Sequence, residues 1–370
     1  MFLPDIIIFG SFGFGNAGDE AVPFAIADML TELGAEGRIH TVTRFDSPKT
    51  GGVIGMGSEY VEFHRKMEGF PIIICGGGVI EPNDFSCLLR AESFMRRFSP
   101  GKATLLGCSV EAGVNFSWRT RWRLLWLLRS LGTVYTRDLL SERTLKRLIP
   151  SIKTQTIGDL VLWMSPERTP TVVSLRIRSR FIACVLSSCW SGDDEWTNWI
   201  VDELARAAQD LNAAIVFLPM STLHDDDRVE HARISERIRM HHSNVEIYEI
   251  VEKLNPREVC QVIADSTVTI SMRLHGCVMA YAQRRPFVSI GYHPKVFGFL
   301  ETVGCLKTVV PQVPPKFQAP GRYGYVFSEL KIKPNDLSVA IENALNTPLG
   351  EGLDELKSNS LGVLRSLVRI

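Results

Sequence analysis

Short apolar runs alternate with longer amphipathic stretches along the whole chain, a pattern that predicts a mainly parallel sheet covered by helices. The first half predicts strands over 5–10, 38–43, 70–75, 102–107 and 132–136, and helices over 20–33, 59–67, 84–98, 118–130 and 139–147. Residues 150–170 lose the helical period and carry Pro166 and Pro170, which reads as a connection between domains. A second series predicts strands over 181–186, 213–218, 245–248, 267–270 and 287–290, with helices over 195–210, 226–240, 255–263 and 274–282. Prolines 311, 314, 315, 320 and 334 predict an irregular connection over 305–335, after which helices over 336–346 and 352–367 close the chain. The expected fold is α/β: two Rossmann-like doubly wound domains, 1–160 and 171–335, facing a cleft, with 336–370 as C-terminal helices packing back across them.

Composition narrows the function without naming it. At 370 residues the chain exceeds what one core usually supports. Its 41 basic and 41 acidic side chains cancel, so no global field attracts nucleic acid or anionic lipid, nucleic acid is not expected as a partner, and any anion site is local. The eight cysteines form no Cys-x-x-Cys pair and several sit in apolar segments, so free thiols in a reducing cytosol are expected rather than disulfides or structural zinc. The apolar run Ile6–Phe9 reads as a first strand, not a signal-peptide core, and the apolar stretches near 124–128 and 215–218 are too short to span a bilayer. Trp118, Trp122 and Trp126, interleaved with Arg119, Arg121 and Arg123, allow a membrane-touching face; a core-facing helix is the commoner outcome of such a pattern. His224 with Asp225, Asp226 and Asp227 invites a metal reading, but adjacent carboxylates at a helix start more often serve as capping charges, and no metal is expected.

Five segments carry candidate chemistry. After the first strand, Gly13, Gly15 and Gly18 satisfy G-x-G-x-x-G, which keeps a nicotinamide or flavin site open. The acid that such a site expects at the end of the second strand is displaced, because Thr43, Arg44 and Phe45 precede Asp46. Asp19 would cap the following helix and repel a pyrophosphate, so the turn Asn16-Ala17-Gly18-Asp19 suits hydroxyls better; a glycine turn without a ligand is the plainer alternative. Gly76, Gly77 and Gly78 follow a buried strand and either expose amides at the sheet's carboxyl edge or permit close packing. Arg137, at the end of the fifth strand, either holds a carboxylate or phosphate or forms a surface pair with Asp138. Ser271-Met272-Arg273-Leu274-His275 puts a hydroxyl, a guanidinium and an imidazole at one strand-to-helix junction, an arrangement suited to acid/base work. Lys295 follows the next strand and is either an anion contact or a solvated lysine.

Together these segments resemble the polysaccharide pyruvyl transferase family over about residues 6–304, through Gly15–Asp19, Gly76–Gly78, Thr136–Asp138, Ser271–His275 and Pro286–Lys295. The resemblance implies the glycosyltransferase B-type architecture and phosphoenolpyruvate as donor substrate, with no further cofactor. Arg137, Arg273, Leu274 and His275 match the family's donor-binding and catalytic positions. The mechanism then expected has Arg137 and Arg273 holding the donor's phosphate and carboxylate, and His275 protonating its methylene carbon as general acid. Gly15, Asn16, Gly18, Asp19, Gly76, Gly77, Gly78, Ser271 and Lys295 complete the expected substrate-binding set, with the general base unassigned. The acceptor implied is a nucleotide- or lipid-linked sugar of a cell-surface polysaccharide, modified in the cytoplasm at or near the inner membrane face. The alternatives are a B-type glycosyltransferase using a nucleotide sugar, a non-catalytic binding module and, third, a dehydrogenase.

Overall fold

The computed structural model describes residues 6–10, 12–13, 15–35, 39–42, 53–56, 72–74, 78–80, 88–89, 103–111, 116–174, 177, 180–188, 194–223, 225–310, 332–350 and 352–368. The helix expected over 59–67, that over 84–98 apart from Leu88 and Leu89, and Gly76, Gly77 and His224 lie outside these residues.

The first sheet contains β1 (Ile6–Phe9), β2 (Ile39–Val42), β3 (Val53–Met56), β4 (Ile72–Ile74), β5 (Gly78–Ile80), β6 (Ala103–Val110), β7 (Val134–Thr136) and β8 (Thr154–Thr156). Its order is β3-β2-β1-β4-β6-β7-β8, with β5 beside β6. Helices α1 (Ala17–Glu32), α2 (Trp118–Leu131) and α3 (Leu139–Leu148) connect its strands. After a 3₁₀ turn at Leu160–Trp163 and the short α4 (Pro170–Ser174), the second sheet is built from β9 (Phe181–Val185), β10 (Ala214–Phe217), β11 (Ile247–Glu249), β12 (Val268–Ser271), β13 (Phe287–Ile290) and β14 (Val309–Val310). These run β11-β10-β9-β12-β13-β14. Its helices are α5 (Asp194–Leu211), α6 (Asp227–His241), α7 (Pro256–Asp265), α8 (Leu274–Ala282) and α9 (Pro294–Thr302), and α10 (Asp336–Asn346) and α11 (Leu353–Val368) close the chain.

Every pairing between the described strands is parallel. Parallel strands need covering on both faces, which explains why β1, β9 and β10 are buried along their whole length. In each sheet the order reverses direction once, between β1 and β4 and between β9 and β12, and ligand crevices open at the carboxyl ends beside such reversals.

Alternate residues of β1 serve two cores. Ile7 and Phe9 pack with Leu124, Leu128 and Leu145 beneath α2 and α3. Ile6 and Ile8 belong instead to a core that runs through Leu160, Val161 and Leu162 of the 3₁₀ turn into Ile182, Leu274 and Met279 of the second half. Residues 150–170 are therefore more than a connection: they add edge strand β8 and an apolar turn that both halves bury. The sequence lacks a helical period there because β8 is only three residues long and the turn is 3₁₀. α9 also departs from expectation, since Gly298 interrupts its pattern; that glycine lets the helix approach Asp138, whose Oδ1 would be 2.8 Å from a methyl group there.

On α2 the core-facing reading holds for Leu124, Leu127, Leu128 and Leu131 but not for Trp118, Trp122 and Trp126, which are exposed. Two apolar stripes on one short helix give one blurred periodicity, so the pattern did not say which stripe faces inward. No described helix is long and apolar enough to cross a membrane. Cys108, Cys184, Cys260, Cys277 and Cys305 are buried free thiols.

Asn335, preceding α10, has a left-handed φ of 71° and makes no side-chain cap. Glu203 of α5 does this work instead, accepting from Asn335 N at 2.9 Å and Leu337 N at 3.0 Å while pairing with Arg206 at 2.5 Å. Glu203→Ala strands these donors and should cost about 1–3 kcal/mol, read as a lower urea midpoint at unchanged slope. A midpoint equal to the parent's would show that α10 docks without this cap.

Candidate active site

The glycine turn after β1 is clasped by the other half of the molecule. Thr222 N donates to Gly15 O at 3.1 Å and Ala17 N to Met220 O at 2.7 Å, and Asn16 forms an antiparallel bridge with Ser221. Two further amides of the turn are engaged: Gly15 N donates to Glu20 Oε1 and Gly18 N to Asn16 Oδ1, each at 3.0 Å. A phosphate cradle needs such amides free, so this turn is poorly fitted to a dinucleotide. Asn16, not Asp19, caps α1, and Asp19 lies in the first turn. Gly15 has φ +73°, where its lack of a side chain also admits Leu223.

Gly18 is required for a different reason. A methyl group on it would lie 2.2 Å from Nδ1 of His275, the second residue of α8. The imidazole thus rests on the start of α1, carried by one half of the chain and seated on the other. Its opposite nitrogen, Nε2, lies 3.5 Å from Oδ2 of Asp159. The same oxygen is 3.7 Å from Nε of Arg137, which follows β7. Arg137 and His275 therefore meet across one buried carboxylate.

Asp159 is positioned by backbone geometry. Gly158 has φ +88°, which turns the chain out of β8, and Asp159 Oδ1 accepts from Val161 N at 2.9 Å to cap the 3₁₀ turn. Burial opposes charge on Asp159, but His275 and Arg137 outweigh it and hold the carboxyl below its ordinary range. Arg137 is only 4% exposed; it donates from Nε to Asp138 at 3.2 Å and from Nη2 to Ser109 at 2.9 Å. Burial likewise works against its charge, and Asp138, Asp159 and the nearby Asp19 reverse the balance and keep it protonated. The surface-pair reading of Arg137 and Asp138 is thus corrected, since both are buried.

A second proton-carrying pair flanks this node. Glu111, just beyond β6, lies 3.5 Å from Nε2 of His293, the residue that caps the start of α9. His293 Nδ1 accepts from Lys295 N at 3.2 Å, so that nitrogen is unprotonated and Nε2 is the one left to face Glu111 with a proton. Burial drives His293 well below its ordinary value, helped by Lys295 and Arg137. Burial raises Glu111, against the opposing pull of Lys295 and Arg137. Lys295 Nζ sits 5.9 Å over the Tyr292 ring.

Arg273 takes a separate direction from His275. It donates to Asp227 Oδ1 at 2.6 Å and to Asp225 O at 3.2 Å, while Asp227 Oδ2 accepts from Met220 N and Ser221 N. Burial pushes Asp227 upward and Arg273 restrains it; Nε and Nη2 of Arg273 with the Met220 and Ser221 amides make four donors to a carboxylate that fixes the segment clasping the glycine turn. The Arg273 side chain keeps 14% of its surface exposed and interacts electrostatically with Tyr292. Ser271 and Leu274 are buried; Ser271 Oγ donates to Arg273 O at 2.7 Å and closes the turn. Gly78 pairs in β5 beside β6. Asp226 caps α6.

The structure thus brings Gly18, Asp19, Arg137 and His275 together, sets Lys295 beside them, and assigns Gly15 and Asn16 to the clasp between halves. Sequence reasoning missed Asp159, Glu111 and His293. Gly158-Asp159 was the available signal for the first: a glycine–acid pair between apolar residues marks a buried turn where a charge needs a partner. The other two follow strands, one after β6 and one beside Lys295.

Comparison with known proteins bears on the fold and on the family. No curated protein matches the sequence. Among solved structures, the chain is similar to UDP-GlcNAc 2-epimerase from Methanocaldococcus jannaschii, at 12% identity and TM-score 0.61 with both chains fully covered. It is similar also to UDP-GlcNAc 2-epimerase from Neisseria meningitidis, at 12% identity and TM-score 0.55 over the whole of both chains. Trehalose 6-phosphate synthase from Burkholderia multivorans aligns at 11% identity and TM-score 0.55, covering 99% of this chain and 98% of its own. Identities this low speak for the fold alone, the two-sheet glycosyltransferase B type. The model of the family described as polysaccharide pyruvyl transferase, by contrast, matches residues 16–294, which include Asn16 and Ala17 of the clasp, the Arg137–Asp159–His275 node and His293. With about three-quarters of its length so matched, the chain belongs to the polysaccharide pyruvyl transferase family.

Proposed function

We propose that this chain transfers the enolpyruvyl group of phosphoenolpyruvate to two hydroxyls of one sugar, forming a pyruvate ketal and releasing inorganic phosphate. The observation that carries the reading is the meeting of Arg137 and His275, from opposite halves, at Asp159. Arg137, Lys295 and the accessible edge of Arg273 supply positive charge for the donor's phosphate and carboxylate. No cofactor is required, because the donor carries its own leaving group.

His275, backed by the ionised Asp159, delivers a proton to the methylene carbon, and cationic character develops at the neighbouring carbon. A sugar hydroxyl bonds to that carbon while Glu111 takes its proton. The C–O bond to phosphate then breaks, and the second hydroxyl closes the ring as its proton passes to the departing phosphate. Holding both hydroxyls against the donor makes these steps intramolecular in effect. A nucleotide- or lipid-linked sugar processed on the cytoplasmic side of a membrane fits this scheme.

The test is incubation of the enzyme with phosphoenolpyruvate and a panel of such sugars, read by mass spectrometry. A gain of one pyruvate less one water is expected, and phosphoenolpyruvate alone should raise Tm by mass action. The shared fold makes a nucleotide-sugar glycosyltransferase the second reading; hexose transfer from UDP-sugar without any pyruvyl product would establish it instead.

The raised Glu111 predicts the pH profile. A base must be ionised, so kcat/KM should climb through an acid limb above the ordinary glutamate value of about 4.3. In Glu111→Gln that limb should vanish together with roughly 10²-fold of rate. A variant that kept both would transfer the base role elsewhere.

A further inference from the structure

We infer that α2 is a docking surface for an anionic phospholipid bilayer. Its sequence, Trp-Arg-Thr-Arg-Trp-Arg-Leu-Leu-Trp-Leu-Leu-Arg-Ser-Leu, contains four arginines and no acid. Leu124, Leu127, Leu128 and Leu131 fill the core beneath it, which fixes the helix on the sheet and leaves the other face outward. On that face Trp118, Trp122 and Trp126 are 68%, 56% and 73% exposed. Their spacing of four residues aligns the rings in one stripe along the helix.

Arg119, Arg121, Arg123 and Arg129 are exposed around the stripe, and the Arg119 guanidinium lies 5.3 Å over the Trp118 ring. Tryptophan has an apolar body and a polar N–H, and therefore settles at the headgroup level of a bilayer; a flanking row of cations selects anionic lipid. The chain as a whole is neutral, so this density of positive charge is local to α2. A second copy is a poor occupant, because a two-fold contact through α2 would set one arginine row against another.

The position of the helix gives the contact a use. α2 leaves the carboxyl end of β6, where Glu111 stands, so Trp118 marks the cleft end of the helix. A bilayer seated on the stripe would lie beside the crevice and present membrane-anchored sugars to it. That use rests on the proposed acceptor class, whereas the docking itself does not.

The experiment is co-sedimentation of the full chain with phosphatidylcholine vesicles, with and without an equal share of phosphatidylglycerol. The intact protein should bind the anionic vesicles, release with salt, and show tryptophan quenching by lipids brominated along the acyl chain. Trp118→Ser, Trp122→Ser and Trp126→Ser combined should lower binding at least tenfold, and Arg119→Gln with Arg123→Gln should flatten the salt dependence. All these side chains are exposed, so Tm and turnover of a water-soluble acceptor should stay near the parent's. Absence of vesicle binding by the parent, binding undiminished in the tryptophan variant, or self-association that the variant abolishes would overturn the proposal. Vesicle binding is read without turnover, so the ketal chemistry can fail while docking stands, and the reverse.

Discussion

Asparagine in place of Asp159 is expected to lower kcat by roughly 10²–10⁴-fold while leaving KM for phosphoenolpyruvate nearly unchanged. The substituted amide would keep an oxygen to cap Val161 N, as Oδ1 of the aspartate does now at 2.9 Å. What is lost is the negative charge 3.5 Å from His275 Nε2, which orients the imidazole and offsets the positive charge it bears when protonated. Because the cap survives, Asp159→Asn should melt much closer to the parent than Asp159→Ala, which strands a backbone donor as well. The native carboxyl is held below its ordinary range, so its stabilising contribution is complete above the unfolded value of about 3.9 and declines as pH falls through the folded one. Steady-state kinetics and thermal melts of the two variants decide the matter. Unchanged kcat in Asp159→Asn would remove the carboxylate from the proton path and leave it as a support for Arg137.

The second large effect is expected at Gly18. Helix propensity alone predicts that alanine in α1 would stabilise the protein by up to about 1 kcal/mol. The contact geometry predicts the opposite for function, since the new methyl group would fall 2.2 Å from His275 Nδ1 and the ring would have to swing away. A displacement on the order of 1 Å at a reacting group costs about 10²-fold in rate, so Gly18→Ala should lose at least that much kcat. Gly34→Ala is a useful contrast, because nothing lies within 4 Å of a methyl group there, though its φ of +65° adds backbone strain. If Gly18→Ala turned over normally, His275 would have room to do its work elsewhere in the crevice.

How far the chain could be read in advance depended on whether a feature is local. Strands such as Phe181–Val185 and Ala214–Phe217 are apolar throughout because both faces are buried, and their limits were legible to within a residue or two. Arg137, His275 and Lys295 stood out because each follows such a strand. Asp159 did not, because its meaning comes from two partners far away in sequence, and nothing beside it except Gly158 hints at burial. Glu111 was silent for the same reason: an acid after a strand reads as solvated until His293 is placed 3.5 Å away. The glycine turn shows the converse failure. Its spacing matched a phosphate-binding signature, yet three of its amides are spent on Met220, Asn16 and Glu20.

The segment Gly158–Met164 carries two duties that proteins often keep apart. Its aspartate faces Arg137 and His275, and a residue further on Leu160, Val161 and Leu162 are wedged into the apolar mass shared by both sheets. A substitution here therefore disturbs chemistry and cohesion at once, and selection has little freedom to explore it. Divergence in sugar preference among such enzymes should accumulate instead along the rim of the crevice, where a side chain can change without loosening what joins the halves.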